Sequence, residues 1–284
     1  MELIRAAADL SVAVEERRSS GADVGFVPTM GALHDGHASL IRRARAERDV
    51  VVISIFVNPM QFAADEDLSR YPRDEAGDVA ISESLGADLV WAPSVDEFYP
   101  PGVELPRPEP GPIGAVLEGA ARPGHFAGVL AAVHRSFDVV GPAAAYFGEK
   151  DAQQLFLVRR MVERLELPVT IVACPTIREP DGLAMSSRNA YLSPEEREQV
   201  GCLFLALTEA AQLSRAGERD PSVLVATMAR EVGATPLASL DYAAVVDEET
   251  FEPPAEVDRS ARALIAARCP SARLIDNLRL PAAG

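Results

Sequence analysis

Residues 50–57 read Val-Val-Val-Ile-Ser-Ile-Phe-Val, and so continuous an apolar, β-branched run predicts a strand covered on both faces, as in a parallel sheet. Such a strand needs helices on either side, and the chain supplies them in order. Residues 24–28 form a short apolar run that leads into a glycine-containing loop. Residues 37–47 then show helical periodicity, with Leu40, Ile41 and Ala44 on the face that also carries His37. The three pieces make one β-α-β unit. Further strands are expected at 87–92, 143–148 and 169–174, with a helix over 152–166 whose inner face carries Leu155, Val158, Val162 and Leu165. The fold class is therefore α/β, a doubly wound parallel sheet, whose ligands sit outside the carboxyl ends of the strands.

The pattern changes along the chain. Six prolines and two glycines between residues 100 and 112 exclude a helix or central strand there and predict an extended surface excursion. Pro180-Asp181-Gly182 reads as a turn. Ser193-Pro194-Glu195-Glu196 combines an N-cap serine, proline at the first helical position and a capping-box glutamate, so a helix starts there. A second helix is expected over 222–232, followed by strands at 240–246, 263–267 and 273–280. The expected division is a first domain over 1–176 and a smaller α+β domain over 177–284.

A net charge of −16 argues against nucleic acid as a partner, since phosphate backbones are bound mainly through cations. An acidic protein that binds a nucleotide must gather its cationic and donor groups locally. Of the 27 Lys plus Arg residues, all but Lys150 are arginine. Where lysine persists against that preference, a compact ammonium on a flexible stem has a use that a planar guanidinium does not. No run reaches the roughly 18 apolar residues of a membrane span. Cys174, Cys202 and Cys269 are widely spaced and odd in number, which suits reduced thiols in a cytoplasmic protein.

Three segments carry the chemistry. Between the first strand and its helix lies Met30-Gly31-Ala32-Leu33-His34-Asp35-Gly36-His37. A helix N-terminus there offers unpaired N–H groups and positive potential to phosphate, and the two glycines permit close backbone approach. His34 and His37, three residues apart, can donate together to charge building on a leaving pyrophosphate. Gly148-Glu149-Lys150-Asp151 follows another strand and sets the lone lysine at a strand's carboxyl end. Met185-Ser186-Ser187-Arg188-Asn189 places two hydroxyls and a guanidinium on a loop able to close over a triphosphate. Asn58, Gln61 and Gln154 are neutral amides near strand ends, suited to a small polar substrate and equally to capping those ends.

Five stretches together resemble the pantoate–β-alanine ligase (pantothenate synthetase) family: residues 26–37, 54–62, 122–129, 146–155 and 178–189. A His-x-Gly-His motif alone indicates only the wider nucleotidylyltransferase superfamily; all five in order are specific to this family. The resemblance implies a Rossmann-like nucleotidylyltransferase fold, ATP and Mg²⁺, and two chemical steps. (R)-Pantoate attacks the α-phosphate of ATP to give pantoyl adenylate, and the amine of β-alanine then displaces AMP. It further implies that Met30 to His37, Gly148 to Asp151 and Ile177 contact ATP, with His37 as a proton donor. Gln61 and Gln154 would hold pantoate, with Asn58 and His125 as secondary candidates. Met185 to Arg188 looks like the counterpart of the Lys-Met-Ser-Lys-Ser loop of related synthetases. A homodimer is implied as well. Asp78 is a candidate metal ligand by position alone, and the metal ligands stay unassigned. Ala152 and Ile177 depart from the tyrosine and valine usual in the family. A nucleotidylyltransferase that leaves the nucleotide on its product, and a non-catalytic nucleotide-binding regulator, are the alternative readings.

Overall fold

The computed structural model describes residues 1–63 and 66–281, so the last three residues of the expected C-terminal domain lie outside the described residues. The chain divides into two compact units, Met1–Glu149 with Leu157–Pro175, and Lys150–Phe156 with Thr176–Gly284.

The first unit is built on one six-stranded sheet: β1 (Glu2–Ile4), β2 (Val24–Thr29), β3 (Val50–Ile55), β4 (Leu89–Trp91), β5 (Ala143–Gly148) and β6 (Val169–Cys174). All pairings are parallel, in the order β1-β4-β3-β2-β5-β6. The connecting helices are α1 (Ala7–Ser19), α2 (Asp35–Glu47), α3 (Glu75–Ser84), the single turns α4 (Val95–Phe98) and α5 (Glu118–Ala121), α6 (His125–Val140) and α7 (Ala152–Arg164), of which the stretch from Leu157 belongs to this unit and the stretch up to Phe156 to the second. Val51 and Ile53 of β3 are fully buried, packed with Val27 of β2 and with Leu40, Ile41 and Ala44 of α2. Phe26 points to the opposite face, where its ring meets Phe137 of α6 edge-on at 6.3 Å. Alternate residues of one strand thus serve two layers, which is why the run at 50–57 lacks a polar face.

Strand order reverses between β2 and β5, which pair directly through Gly25 with Ala144 and Phe26 with Ala145. The carboxyl ends of these two strands, Thr29 and Gly148, are therefore neighbouring exits at a topological switch point. The segments leaving them are the loop at 30–34 and the turn at 149–151.

The second unit packs α8 (Pro194–Gln199), α9 (Cys202–Arg215) and α10 (Pro221–Gly233) with an antiparallel sheet of β7 (Ser239–Asp247), β8 (Ala261–Arg268) and β9 (Arg273–Arg279). Its core includes Leu203, Leu207, Leu224, Met228, Ala263 and Ile265.

The fold is the expected one, with local differences. The helix expected at residue 37 begins at Asp35, because His34 itself is the N-cap. The strand at 50–57 stops at Ile55, and the one at 87–92 is only Leu89–Trp91. Ser193 caps its helix through the predicted reciprocal box with Glu196, yet that helix ends at Gln199 and a new one starts after Gly201. On α7 the buried residues include Leu155, Val158 and Met161, whereas Leu165 lies beyond the helix and is 41% exposed.

Candidate active site

The loop leaving β2 is held in an unusual backbone shape. Gly31 has φ +79°, and a Cβ there would come within 2.6 Å of the Asp78 carboxylate. Ala32 follows with φ +50°, a left-handed conformation that non-glycine residues seldom adopt. The Asp78 carboxylate, on α3, accepts the Ala32 N–H at 2.8 Å and the Leu33 N–H at 2.7 Å. Thr29 Oγ1 accepts the Gly31 N–H at 3.1 Å and donates to the Ser54 carbonyl at 2.7 Å. Burial raises the Asp78 carboxyl above its ordinary pKa, opposed by these two N–H donors.

The histidines close the same segment. His34 Nδ1 accepts the Gly36 N–H at 3.1 Å, and His37 Nδ1 accepts the His34 N–H at 3.4 Å. The two rings stand 4.2 Å apart, centroid to centroid. Because each Nδ1 is an acceptor, a neutral ring carries its proton on Nε2. The arrangement therefore turns two adjacent imidazoles into Nε2–H donors at the start of a helix, beside its positive end. Asp35 and Gly36 are the first residues of that helix.

A second cluster follows β3. Asn58 Oδ1 accepts the Met60 N–H at 3.1 Å and the Tyr99 hydroxyl at 3.0 Å. Its amide donates to the Gly128 carbonyl at 3.0 Å and to Gln61 Oε1 at 3.2 Å. Gln61 Nε2 in turn reaches Met30 Sδ, so Asn58, Gln61 and Met30 form one connected set. Asn58 is itself buried and fully engaged, an end-capping role, while Gln61 is only half-buried.

His125 braces this cluster from α6. Its Nε2 lies 3.0 Å from Arg122 Nη1 and its Nδ1 lies 2.9 Å from the Gln61 carbonyl. A guanidinium only donates, so Nε2 is the acceptor and Nδ1–H donates to Gln61. Burial, reinforced by the Arg122 charge, lowers the His125 pKa to about 4, keeping it neutral at pH 7. Arg122 is fixed by two hydrogen bonds to Glu66, at 2.7 and 2.8 Å. His125 thus spends both ring nitrogens on protein groups that fix Gln61.

In the second unit, Lys150 is in a 3₁₀ turn, Glu149–Asp151, directly after β5 and before α7. Its side chain is 20% exposed, and its ammonium lies 3.7 Å from Asp151 Oδ1. Gln154 follows in the first turn of α7. The Ile177 carbonyl accepts the Met185 N–H at 2.9 Å, which ties those two candidates together. Ser186 caps the short helix Ser187–Tyr191 by accepting the Arg188 N–H at 3.3 Å. Asn189 donates to Glu179 at 2.8 Å and to the Ala184 carbonyl at 3.1 Å, closing the base of the loop.

Among the described residues, no group of three or more His, Cys, Asp or Glu side chains is arranged to hold a metal ion. Asp78 directs both carboxylate oxygens to loop N–H groups. No described helix is long and apolar enough to cross a membrane. The supports that sequence reading missed are Thr29, Arg122 and Glu66. Arg122 and Glu66 meet across 56 positions, and no local pattern signals such a pairing.

The family model for pantoate-β-alanine ligase matches residues 2–279. A pantothenate synthetase of Roseiflexus castenholzii is 52% identical over 259 residues, 91% of this chain and 93% of the relative. One from Thermotoga petrophila is 47% identical over 98% of this chain and 99% of its own. The crystal structure of pantothenate synthetase from Thermus thermophilus matches with TM-score 0.93 and 46% identity, covering 99% of both chains. The pantoate-β-alanine ligase of Francisella tularensis, complexed with beta-gamma ATP and β-alanine, matches with TM-score 0.78 and 33% identity over 98% of this chain and 97% of that one.

Proposed function

The chain belongs to the pantoate–β-alanine ligase family, and from that membership we propose how its own residues divide the work of the reaction. The reaction condenses pantoate with β-alanine using ATP, through a pantoyl adenylate, and yields pantothenate, AMP and pyrophosphate. The supporting observation is the strand order. Two chemically equipped segments, the one with His34 and His37 and the one with Lys150, leave neighbouring strands at the switch point.

Pantoate brings a carboxylate that is already ionised at neutral pH, so adenylation needs no general base. It needs alignment and stabilisation of the charge that moves onto pyrophosphate. His34 and His37 supply Nε2–H donors, His37 giving its proton to the departing phosphate. Lys150 supplies a mobile ammonium, and Arg188 a guanidinium. Met30, Gly31, Ala32, Leu33, Asp35 and Gly36, with Gly148 and Glu149, are assigned to ATP. Asp151, Ile177, Met185, Ser186 and Ser187 are assigned to ATP as well. Gln61 and Gln154 hold pantoate through amide hydrogen bonds. Asn58 and His125 act on substrate through Gln61, which they hold in place.

Magnesium enters as MgATP, held by phosphate oxygens and water, which fits the hydration habits of that ion. We also propose that residues 1–176 form the ATP- and pantoate-binding domain, that residues 177–284 form its lid, and that the protein acts as a cytoplasmic homodimer. The test is to incubate the purified protein with ATP, magnesium, (R)-pantoate and β-alanine. AMP and pantothenate should appear together, and only when both acceptor substrates are present. A stable nucleotidylated product, or ATP binding without pyrophosphate release, would contradict the reading.

A further inference from the structure

Two adjacent residues of β9, Asp276 and Asn277, are both buried, each only 3% exposed. Successive residues of a strand point to opposite faces, so the pair reaches two different neighbours. Asp276 takes the guanidinium of Arg178 in a bidentate pair, at 2.6 and 2.9 Å. Arg178 also donates to the Gly182 carbonyl at 2.9 Å and stacks over the Phe204 ring at 4.2 Å. That fixes the stem from which the segment Met185 to Arg188 departs.

Asn277 reaches the other segment. Its Nδ2 donates to the main-chain carbonyl of Lys150 at 2.8 Å, across 127 positions of sequence. Its Oδ1 accepts from Arg262 Nη1, and Arg262 is itself held by Glu248, with Nε to Oε1 at 2.6 Å. A guanidinium can only donate and a carbonyl can only accept, so the amide has one permitted orientation. Arg262 and Glu248 thereby aim the Asn277 N–H at Lys150.

We infer that Asn277 is a positioning residue for Lys150, fixing the main chain from which the only lysine ammonium of the protein reaches its phosphate. The inference rests on the proposed role of Lys150. A four-carbon stem leaves an ammonium free to wander, and anchoring its carbonyl narrows the region it searches. Asp276, beside it on the same strand, anchors the serine-arginine loop, so β9 holds both nucleotide-contacting segments of its unit.

Asn277→Asp isolates the contact. It keeps an acceptor facing Arg262 and replaces the donor facing Lys150 with a second oxygen, which repels the carbonyl. The experiment is a double-mutant cycle on pantoate-dependent exchange of radiolabelled pyrophosphate into ATP, with folding of each variant checked by thermal unfolding. The Lys150→Ala variant retains the carbonyl at position 150 and lacks the ammonium. Asn277→Asp should lower the exchange rate about tenfold to a hundredfold in the parent protein and by less than about threefold in the Lys150→Ala background. Equal losses in both backgrounds, or a parent-like rate for Asn277→Asp, would overturn the inference. A near-parent rate for Lys150→Ala alone would instead remove the role of Lys150, and the inference with it. If Asn277→Asp does not fold, Asn277→Ala enters the same cycle with the same criteria.

Discussion

Asp78 accepts the N–H of Ala32 at 2.8 Å and so holds a residue whose φ is +50°. The bond keeps the loop at 30–34 in a shape that its own sequence does not favour, since alanine gains nothing from the left-handed region. Asp78→Asn retains one acceptor and turns the other into a donor aimed at an N–H. Unfolding by urea should show a loss of about 1–3 kcal/mol, the usual consequence of leaving a partly buried donor unpaired. Pyrophosphate exchange should fall at least about tenfold, because the histidines ride on the same loop.

Lys150→Ala should unfold at a temperature close to that of the parent and lose roughly a hundredfold to a thousandfold in adenylation rate. Lys150→Arg should recover only part of that loss, since a planar fork cannot take the place of a compact ammonium. Single-turnover release of pyrophosphate measures both. Full activity in Lys150→Ala would exclude the proposed role.

Local rules made much of this architecture readable in advance. The β-branched run at 50–55 and the capping box of Ser193 with Glu196 each declare themselves within a few residues. The helix α6 does not: Phe126, Val129, Leu130, Val133 and Phe137 are buried along with most of their neighbours, so no polar face marks a period. Its part in the site, placing His125 under Gln61 and the Gly128 carbonyl against Asn58, was equally hidden. Positions 61 and 125 are linked by a main-chain carbonyl, which carries no side-chain signature. Likewise, the Asn277 contact with the Lys150 carbonyl depends on tertiary folding alone. The motif residues were visible because their chemistry is unusual. Their supports are ordinary side chains made specific by position.

His125 predicts a pH dependence of stability. Its folded pKa is lowered from 6.5 to about 4. Between those values the unfolded imidazole binds a proton that the folded one refuses, so the unfolded state is favoured as pH falls. The effect should build from pH 6.5 down to about 4 and amount to about 3 kcal/mol. His125→Asn keeps a donor towards Gln61 and has no such proton. The difference between the urea-unfolding free energies of parent and variant should therefore shift across this window. A constant difference would show that the imidazole is not held neutral.

A methyl group at Gly128 would lie 2.0 Å from the Met60 carbonyl oxygen, far inside contact distance. Gly128→Ala must push α6 away from the turn that carries Asn58 and Gln61. Thermal unfolding should register a destabilisation of about 1–3 kcal/mol, and steady-state kinetics a raised KM for pantoate with a smaller effect on the KM for ATP. An unchanged KM for pantoate would separate that turn from substrate binding.

In this reaction the pantoate carboxylate becomes bonded to the α-phosphorus of ATP before the amine arrives. Pantoate labelled with ¹⁸O in its carboxylate, incubated with ATP, magnesium and β-alanine, tests this directly by mass spectrometry of the AMP formed. Attack through the carboxylate leaves one labelled oxygen on the phosphate of AMP when β-alanine displaces it. Unlabelled AMP, formed alongside pantothenate, would contradict the acyl-adenylate route and the roles assigned here to His34, His37 and Lys150.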